Sequence, residues 1–219
     1  MTTEEILKQI AQQTAECTRC DLQFSRKKVV PGAGNPKAEI LFIGEGPGFH
    51  ENVQGLPFVG AAGQFLDELL ADAGLKREEV FITNVVKCRP PGNRDPQGEE
   101  LDACKAYLER QIAVINPDVI VTLGRFSMGH FINNGKISGL HGKPLWSGGR
   151  MIIPMFHPAA ALHQPSLREV VKQDFAKLPE MISRAKETRH NNPDLAALNN
   201  PVEEDSEVED SSAEQLSLF

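Results

Sequence analysis

The sequence has few cysteines, little aromatic surface and no long apolar run. It contains four cysteines, one tryptophan and one tyrosine among 219 residues. No apolar stretch approaches the ~20 residues that cross a bilayer. The amino-terminal segment is acidic and polar, whereas a secretory signal is basic and then apolar. These absences predict a cytoplasmic protein without a membrane partner, long enough for one sizeable domain.

The acidic residues are concentrated at one end of the chain. The formal net charge of −7 by itself disfavours a nucleic-acid partner, because phosphate binding requires lysine and arginine. However, residues 191–219 contain eight acids and no lysine or arginine. Residues 1–190 therefore hold 22 acids against all 23 basic residues. This part of the chain is nearly neutral and can carry a local basic face.

Short β-rich runs alternate with helical patterns. Four runs of Val, Ile, Leu and Phe have the composition of strands covered on both faces, near residues 38–44, 80–86, 118–124 and 150–157. Amphipathic helical patterns occupy residues 2–15, 60–75, 98–117 and 166–185. Strand and helix in alternation favour right-handed crossovers. The sequence thus predicts an α/β fold, a three-layer α/β/α sandwich with a central four-stranded parallel sheet.

The composition changes near residue 186. Residues 186–219 are rich in acid, Asn, Pro and Ser, with too little apolar surface to offset the entropy of ordering. We expect one folded domain over residues 1–185 and a disordered acidic tail over residues 186–219. The last five residues, QLSLF, place three large apolar side chains at the end of this tail.

The four cysteines suit a metal site better than disulfides. Cys17 and Cys20 form a C-x-x-C pair, Cys88 follows the second predicted strand, and Cys104 lies in the next helix. Zinc and a [4Fe-4S] cluster both accept four thiolates, so spacing alone does not choose between them. Structural zinc more often uses two C-x-x-C pairs, and one pair with two separate cysteines favours iron and sulfur modestly.

Polar residues follow three of the predicted strands. The turn GEGPG contains Glu45, Asn84 ends the second strand, and His157 ends the fourth. The carboxyl ends of parallel strands share one edge of a sheet, where ligands bind in open α/β folds. A turn-forming Asn and a structural His are the alternatives, but the three together favour a site. Phe58 is either a core residue or a stacking platform for a flat ring.

Four segments resemble the family 4 uracil-DNA glycosylases, which carry a [4Fe-4S] cluster. They are GEGPG, GLPFVGAAG, NVVKCRPPGNRDP and FHPAAAL, and the resemblance covers about residues 10–180 with all four cysteines in order. It implies that Cys17, Cys20, Cys88 and Cys104 ligate a structural cluster. It also implies the three-layer fold and excision of uracil from single- or double-stranded DNA in base excision repair.

The resemblance also implies a uracil pocket. Gly44, Glu45 and Gly46 would line it, and Glu51 would stand near C5 of the pyrimidine, where it excludes the methyl group of thymine. The remaining contacts would be stacking by Phe58, recognition of the Watson–Crick edge by Asn84, and a contact from His157 to the carbonyl at position 2.

The implied chemistry is hydrolysis of the N-glycosidic bond in a flipped nucleotide. His157 would stabilise the departing uracil anion, while Glu45 would stabilise the sugar cation and orient water. Leu162 would fill the gap left in the base stack. Since no lysine in the motifs stands as an imine-forming nucleophile, we expect a monofunctional enzyme that leaves an abasic site.

The carboxyl terminus has a resemblance of its own. QLSLF is similar to the short peptides by which bacterial repair proteins bind the sliding clamp, and the residues concerned are Gln215, Leu216, Ser217, Leu218 and Phe219. We expect clamp binding by a monomer associated with the bacterial nucleoid. An iron–sulfur electron carrier and a non-catalytic damage-binding module are alternatives. They leave the predicted pocket residues without a catalytic role.

Overall fold

A six-stranded sheet forms the centre of the protein. The computed structural model describes residues 1–192 and Leu195. Its strands are β1 (Ala33–Gly34), β2 (Ile40–Gly44), β3 (Phe81–Asn84), β4 (Val119–Leu123), β5 (Leu145–Ser147) and β6 (Arg150–Met155). They lie in the order β1-β3-β2-β4-β6-β5, and the four inner strands are parallel. The predicted four-stranded parallel sheet is confirmed, and it gains one short antiparallel strand at each edge.

Helices cover both faces of this sheet. They are α1 (Thr3–Ala15), α2 (Leu22–Ser25), α3 (Phe49–Gln54), α4 (Ala61–Asp72), α5 (Gly98–Ile115), α6 (Arg125–Gly129), α7 (Ile137–Leu140), α8 (Pro158–His163), α9 (Ser166–Ala176) and α10 (Leu178–Asn191). None of these helices is both long and apolar enough to cross a membrane. The four predicted helical regions are confirmed, and several short helices in the connections are additional.

Alternate residues of each inner strand point into two separate cores. In β2, Phe42 packs with Phe65 and Leu66 of α4 and with residues of α9 and α10. Its neighbour Leu41 points to the opposite face and packs with residues of α5. This is the period of two that a strand imposes on its side chains. The helix, sheet and helix layers of the predicted sandwich are therefore present.

The last predicted helix differs from expectation in two ways. It is broken at Lys177, since Pro179 in the first turn of α10 has no amide hydrogen to continue α9. It also extends to Asn191, beyond the predicted end at residue 185, and Arg189 near its end donates to the carbonyl of Pro117. Residues 186–191 of the predicted tail belong to α10, whereas residues 193–194 and 196–219, including the clamp-binding residues 215–219, lie outside the described residues.

Candidate active site

The order of the strands creates a crevice at the carboxyl end of β2. The chain passes from β2 through α4 to β3 on one side, and then returns through α5 to β4 on the other. The two helices pack on opposite faces of the sheet, so their connections diverge above β2. Ligands of open α/β proteins bind at such switch points. Glu45, the residue after β2, lies in this crevice.

A cavity of about 350 Å³ occupies the crevice. Six predicted site residues line it: Glu45, Gly46, Glu51, Phe58, Asn84 and His157. The other lining residues are Pro47, Gly48, Ala62, Pro90, Asn93, Arg94 and Ala159. Gly44 lies beneath the cavity, whereas Leu162 is on α8 outside it and is partly exposed. A volume of this size is in the range of small-molecule sites.

Gly44 allows two cavity side chains to meet. A Cβ atom on this residue would lie 2.4 Å from Oδ1 of Asn84 and 2.8 Å from two ring carbons of Phe58. Gly46 has a similar constraint, since its Cβ would lie 2.8 Å from Val86. The glycines after β2 are therefore required by close packing, and they let a flat ligand approach the backbone.

Asn84 lines the cavity and carries an unused acceptor. Its side chain is buried, and Oδ1 finds no hydrogen-bond donor in the part of the chain that the structure describes. Buried polar atoms are nearly always hydrogen-bonded, because an unpaired one costs about 1–3 kcal/mol. An orphaned acceptor that lines a cavity indicates a ligand with an N–H or O–H group at that position.

Lys87 holds the end of β3 in place. It is completely buried, and Nζ donates to Oγ1 of Thr83, the carbonyl of Asn84 and Oε1 of Gln111, each at 2.7 Å. Burial lowers the pKa of this lysine to about 7. The three bonds tie the strand that carries Asn84 to helix α5. Nothing in the sequence marks this residue, because a lone lysine gives no signal of burial.

The loop that carries Phe58 is held by a carboxylate. Oε1 of Glu51 accepts hydrogen bonds from the amides of Val59 and Gly60, both at 2.9 Å. Phe58 has φ of 51°, a left-handed conformation that is rare for this residue type. Its carbonyl oxygen would lie 2.0 Å from a Cβ on Gly63, so α4 begins directly against it. Glu51 thus orients the aromatic ring as well as lining the cavity.

His157 is held in one tautomer. It caps α8, and its Nδ1 accepts a hydrogen bond from the amide of Ala159 at 3.1 Å. A neutral ring that accepts at Nδ1 carries its proton on Nε2. Burial lowers the pKa of His157 to about 4, so the ring is neutral at pH 7. The ring also stacks on Phe58, with centroids 5.5 Å apart and planes inclined by 26°.

Glu45 lies in a partly desolvated position beside other charges. Burial raises the pKa of its carboxyl group, the nearby Asp95 raises it further, and Arg125 opposes both effects. Arg125 forms an ion pair with Asp95. The carboxylate at the base of the cavity is therefore easier to protonate than an ordinary glutamate, which is a common property of catalytic acids and bases.

The four cysteines converge on a second, smaller cavity. Cys17, Cys20, Cys88 and Cys104 all line it, and all four are free thiols. They come from the segment between α1 and α2, from the loop after β3, and from α5. Arg26 reinforces this arrangement by donating to the carbonyl of Cys17 at 2.7 Å. Within residues 1–192, no three Cys, His, Asp or Glu side chains surround the position of a single metal ion.

Two further cavity residues, Asn93 and Arg94, were not assigned from the sequence. Both lie in the segment NVVKCRPPGNRDP, whose unusual length and proline content were the available signal. Arg94 makes two hydrogen bonds to the carboxylate of Glu100, at 2.6 and 2.9 Å. This pair fixes the loop after β3 to the beginning of α5.

The fold and cavity together define an α/β protein with a pocket at the switch point of a parallel sheet. An acid, an amide and an imidazole line this pocket. A family model described as the uracil DNA glycosylase superfamily matches residues 31–181, well over half of the chain. The chain belongs to this superfamily, and the predicted membership is confirmed.

Individual relatives give the same assignment. A type-4 uracil-DNA glycosylase of Archaeoglobus fulgidus is 47% identical over 194 residues, which cover 84% of this chain and 97% of the relative. That of Thermotoga maritima is 45% identical over 188 residues, covering 84% and 98%. A type-5 uracil-DNA glycosylase of Thermus thermophilus is 37% identical over 151 residues, covering 58% and 68%. The two type-4 relatives are therefore more similar to this chain, and over a longer region.

Proposed function

We propose that this chain is a uracil-DNA glycosylase, a DNA repair enzyme that binds a flipped deoxyuridine and hydrolyses its N-glycosidic bond. The observation that carries this proposal is the orphaned Oδ1 of Asn84 in a cavity lined by the stacked rings of Phe58 and His157. Uracil offers an N–H group for this acceptor and a flat ring for the aromatic side chain. A base within a duplex cannot reach the cavity, so the nucleotide has to leave the stack.

Recognition relies on the amide of Asn84. Oδ1 accepts from N3–H of uracil, while the amide nitrogen donates to the adjacent carbonyl at position 4. Cytosine has an acceptor and an amino group at these positions, so it leaves both pairs mismatched. Phe58 stacks on the ring, and Gly44 keeps the floor open. The position of Glu51 beside C5, from which it excludes thymine, stays a prediction.

Bond cleavage places negative charge on the base and positive charge on the sugar. The neutral ring of His157 donates from Nε2 to the carbonyl oxygen at position 2, where charge develops as the bond from N1 to C1′ breaks. This donor is preorganised, because the amide of Ala159 fixes the tautomer. The carboxylate of Glu45 stabilises the cationic sugar and orients the water whose oxygen bonds to C1′.

The enzyme is monofunctional and leaves an abasic site. Among the described residues, those that line the cavity include no lysine to form an imine with the sugar. Water is therefore the nucleophile. Leu162 is 39% exposed on α8, the helix that begins at His157, and this position suits the side chain that fills the gap in the base stack.

The four cysteines hold a [4Fe-4S] cluster. The four thiols line one shared cavity, as ligands of one cluster must, and one C-x-x-C pair with two separate cysteines favours iron and sulfur over zinc. Cys17, Cys20, Cys88 and Cys104 would hold the cluster and would thereby link the α1–α2 segment, the loop after β3 and helix α5. It is structural and takes part in no step of hydrolysis.

The function is tested by incubating the protein with single-stranded and duplex oligonucleotides that contain uracil, followed by alkaline cleavage. We expect strand breaks only where uracil was present. An electron carrier or a non-catalytic binding module would give none. His157→Ala is expected to lower the rate by ~10²-fold or more, the cost typical of one transition-state donor. A rate within a few-fold of wild type would remove His157 from this role.

The matched control is His190→Ala, which replaces an exposed histidine near the end of α10. This variant is expected to retain the wild-type rate. Equal circular dichroism spectra of the two variants would show that the loss in His157→Ala is catalytic.

A further inference from the structure

An exposed aromatic ring lies at the mouth of the cavity. Phe49 is the first residue of α3, and 52% of its surface is exposed to solvent. The neighbouring Phe58, in contrast, is 6% exposed. A large apolar side chain gains nothing from such exposure, because water contact removes the benefit of burial. The proposed reaction at the cavity does not use Phe49.

Two cations flank this ring. The guanidinium carbon of Arg89 lies 5.5 Å from the ring centroid, and Nζ of Lys27 lies 5.9 Å from it. Both distances are within the range of cation–π interaction. Within residues 1–192, neither cation forms an ion pair with a carboxylate. We call Phe49, Lys27 and Arg89 the rim patch. It combines an aromatic ring that is about half exposed to solvent with two positive charges that lie over the ring.

The rim patch is continuous with the cavity on two sides. Phe49 follows Gly48 and precedes Glu51 by two positions, and both of these residues line the cavity. On the other side, Arg89 precedes the lining residue Pro90. Its Nε donates to Oδ1 of Asn93, another lining residue, at 2.7 Å. The rim patch therefore adjoins the cavity, within reach of a strand whose nucleotide enters it.

We propose that Phe49 is a stacking platform for the base next to the flipped uridine in single-stranded DNA, with Lys27 and Arg89 on the adjoining phosphates. This inference rests on the proposed function and adds the form of the substrate to it. Aromatic rings flanked by cations are the common means of binding an unpaired strand without sequence preference. In a duplex the neighbouring base remains paired and stacked, so it cannot turn its face to this ring.

The test separates stacking from the rest of binding. Fluorescence anisotropy measures the affinity for single-stranded oligonucleotides with a central tetrahydrofuran site, which mimics the abasic product. One oligonucleotide has normal bases on both sides, and two others lack the base on the 5′ or the 3′ side. Phe49→Ala and Phe49→Leu are expected to weaken binding of the first roughly 5- to 150-fold, the loss of one base–aromatic stack.

Phe49→Tyr keeps a flat ring and is expected to bind like wild type. Removing the stacking base from the oligonucleotide should lower the affinity of wild type by the same factor. It should not lower the affinity of Phe49→Ala any further. The matched control is Trp146→Ala, since Trp146 is 40% exposed but pairs with Met151 at the opposite end of β6. This control should not change the affinity. In a duplex with the same central site, the loss in Phe49→Ala should be less than about 2-fold.

Three results would overturn the inference. The first is an unchanged affinity in Phe49→Ala. The second is that Phe49→Ala loses the same affinity on all three single-stranded oligonucleotides, and the third is that it loses the same affinity on single strand and duplex. Uracil excision by wild type is measured in parallel, so the inference and the proposed function fail separately. Normal excision with an unchanged affinity rejects the platform alone. Base-dependent binding without excision rejects the glycosylase and retains a strand-binding surface.

Discussion

Replacing Gly44 with alanine is expected to distort the base pocket while the sheet remains folded. The new Cβ would lie 2.4 Å from Oδ1 of Asn84 and 2.8 Å from two carbons of Phe58. Ordinary contacts of a Cβ begin near 3.4 Å. The amide therefore has to move by about 1 Å and the ring by somewhat less, since packed interiors contain little free space to absorb the methyl group.

The size of the effect follows from these displacements. A shift of about 1 Å in a positioning group costs on the order of 10²-fold in rate. One extra methyl group in a packed site typically lowers the free energy of unfolding by ~1–3 kcal/mol. Because the methyl group points at the base-reading residues, we expect the loss of excision rate to reach about 10²-fold while the protein remains folded at the assay temperature.

The assay is single-turnover excision of uracil from a single-stranded oligonucleotide, with thermal unfolding followed by circular dichroism. The matched control is Gly129→Ala on α6, where a Cβ meets no atom within 4 Å and the rate should be unchanged. The decisive comparison repeats Gly44→Ala in an Asn84→Ala background. There the amide is absent and only the clash with Phe58 remains, so the added loss should be smaller than in wild type. Equal losses in the two backgrounds would refute the clash with Asn84 as a cause of the loss.

Two further predictions concern Glu45 and the cysteine cluster. Burial and the nearby Asp95 raise the pKa of Glu45 above the usual ~4.3 of a glutamate. At pH values below this raised pKa, the wild-type excision rate should fall about tenfold for each pH unit, which gives an acid limb in the pH–rate profile. His157 stays neutral down to about pH 4, so above that pH the acid limb reports Glu45 alone. Glu45→Gln should excise uracil slowly at every pH and should not show the acid limb. An acid limb that persists in this variant would contradict the proposed role of the Glu45 carboxylate. Cys104→Ser should lose absorption near ~400 nm and melt at a lower temperature, whereas unchanged absorption would exclude it as a cluster ligand.

The sequence predicted much of the site, since its residues follow buried strands. The carboxyl ends of parallel strands meet at one edge, so the positions of Glu45, Asn84 and His157 in the sequence were sufficient to bring them together. Phe58 was predicted as a site residue from the motif GLPFVGAAG that contains it. The two edge strands were missed because they have two and three residues and carry little apolar periodicity. Pro179 indicates the break before α10, but the amphipathic pattern continues across it and favoured one long helix.

Residues that act through distant partners could not be predicted in the same way. Lys87 is buried because Gln111, 24 positions away on α5, supplies one of its acceptors. Glu51 serves the loop of Phe58, because Val59 and Gly60 place two amides at its Oε1. Phenylalanine is a residue type usually found in cores, so the sequence does not mark Phe49 as exposed. Only the position of α3 leaves its ring exposed beside the cavity.

Local patterns in the sequence by themselves determined the four inner strands, most of the helices and the identity of the chemical groups. Continuous apolar runs and helical periodicity depend on neighbours in the chain, and so they can be read without a structure. Only the tertiary structure decided how these groups meet. The parallel pairing of β2 with β3 places Gly44 opposite Asn84, and the missing side chain of Gly44 then makes room for the amide. That contact depends on strand register, which is set by packing of the whole sheet.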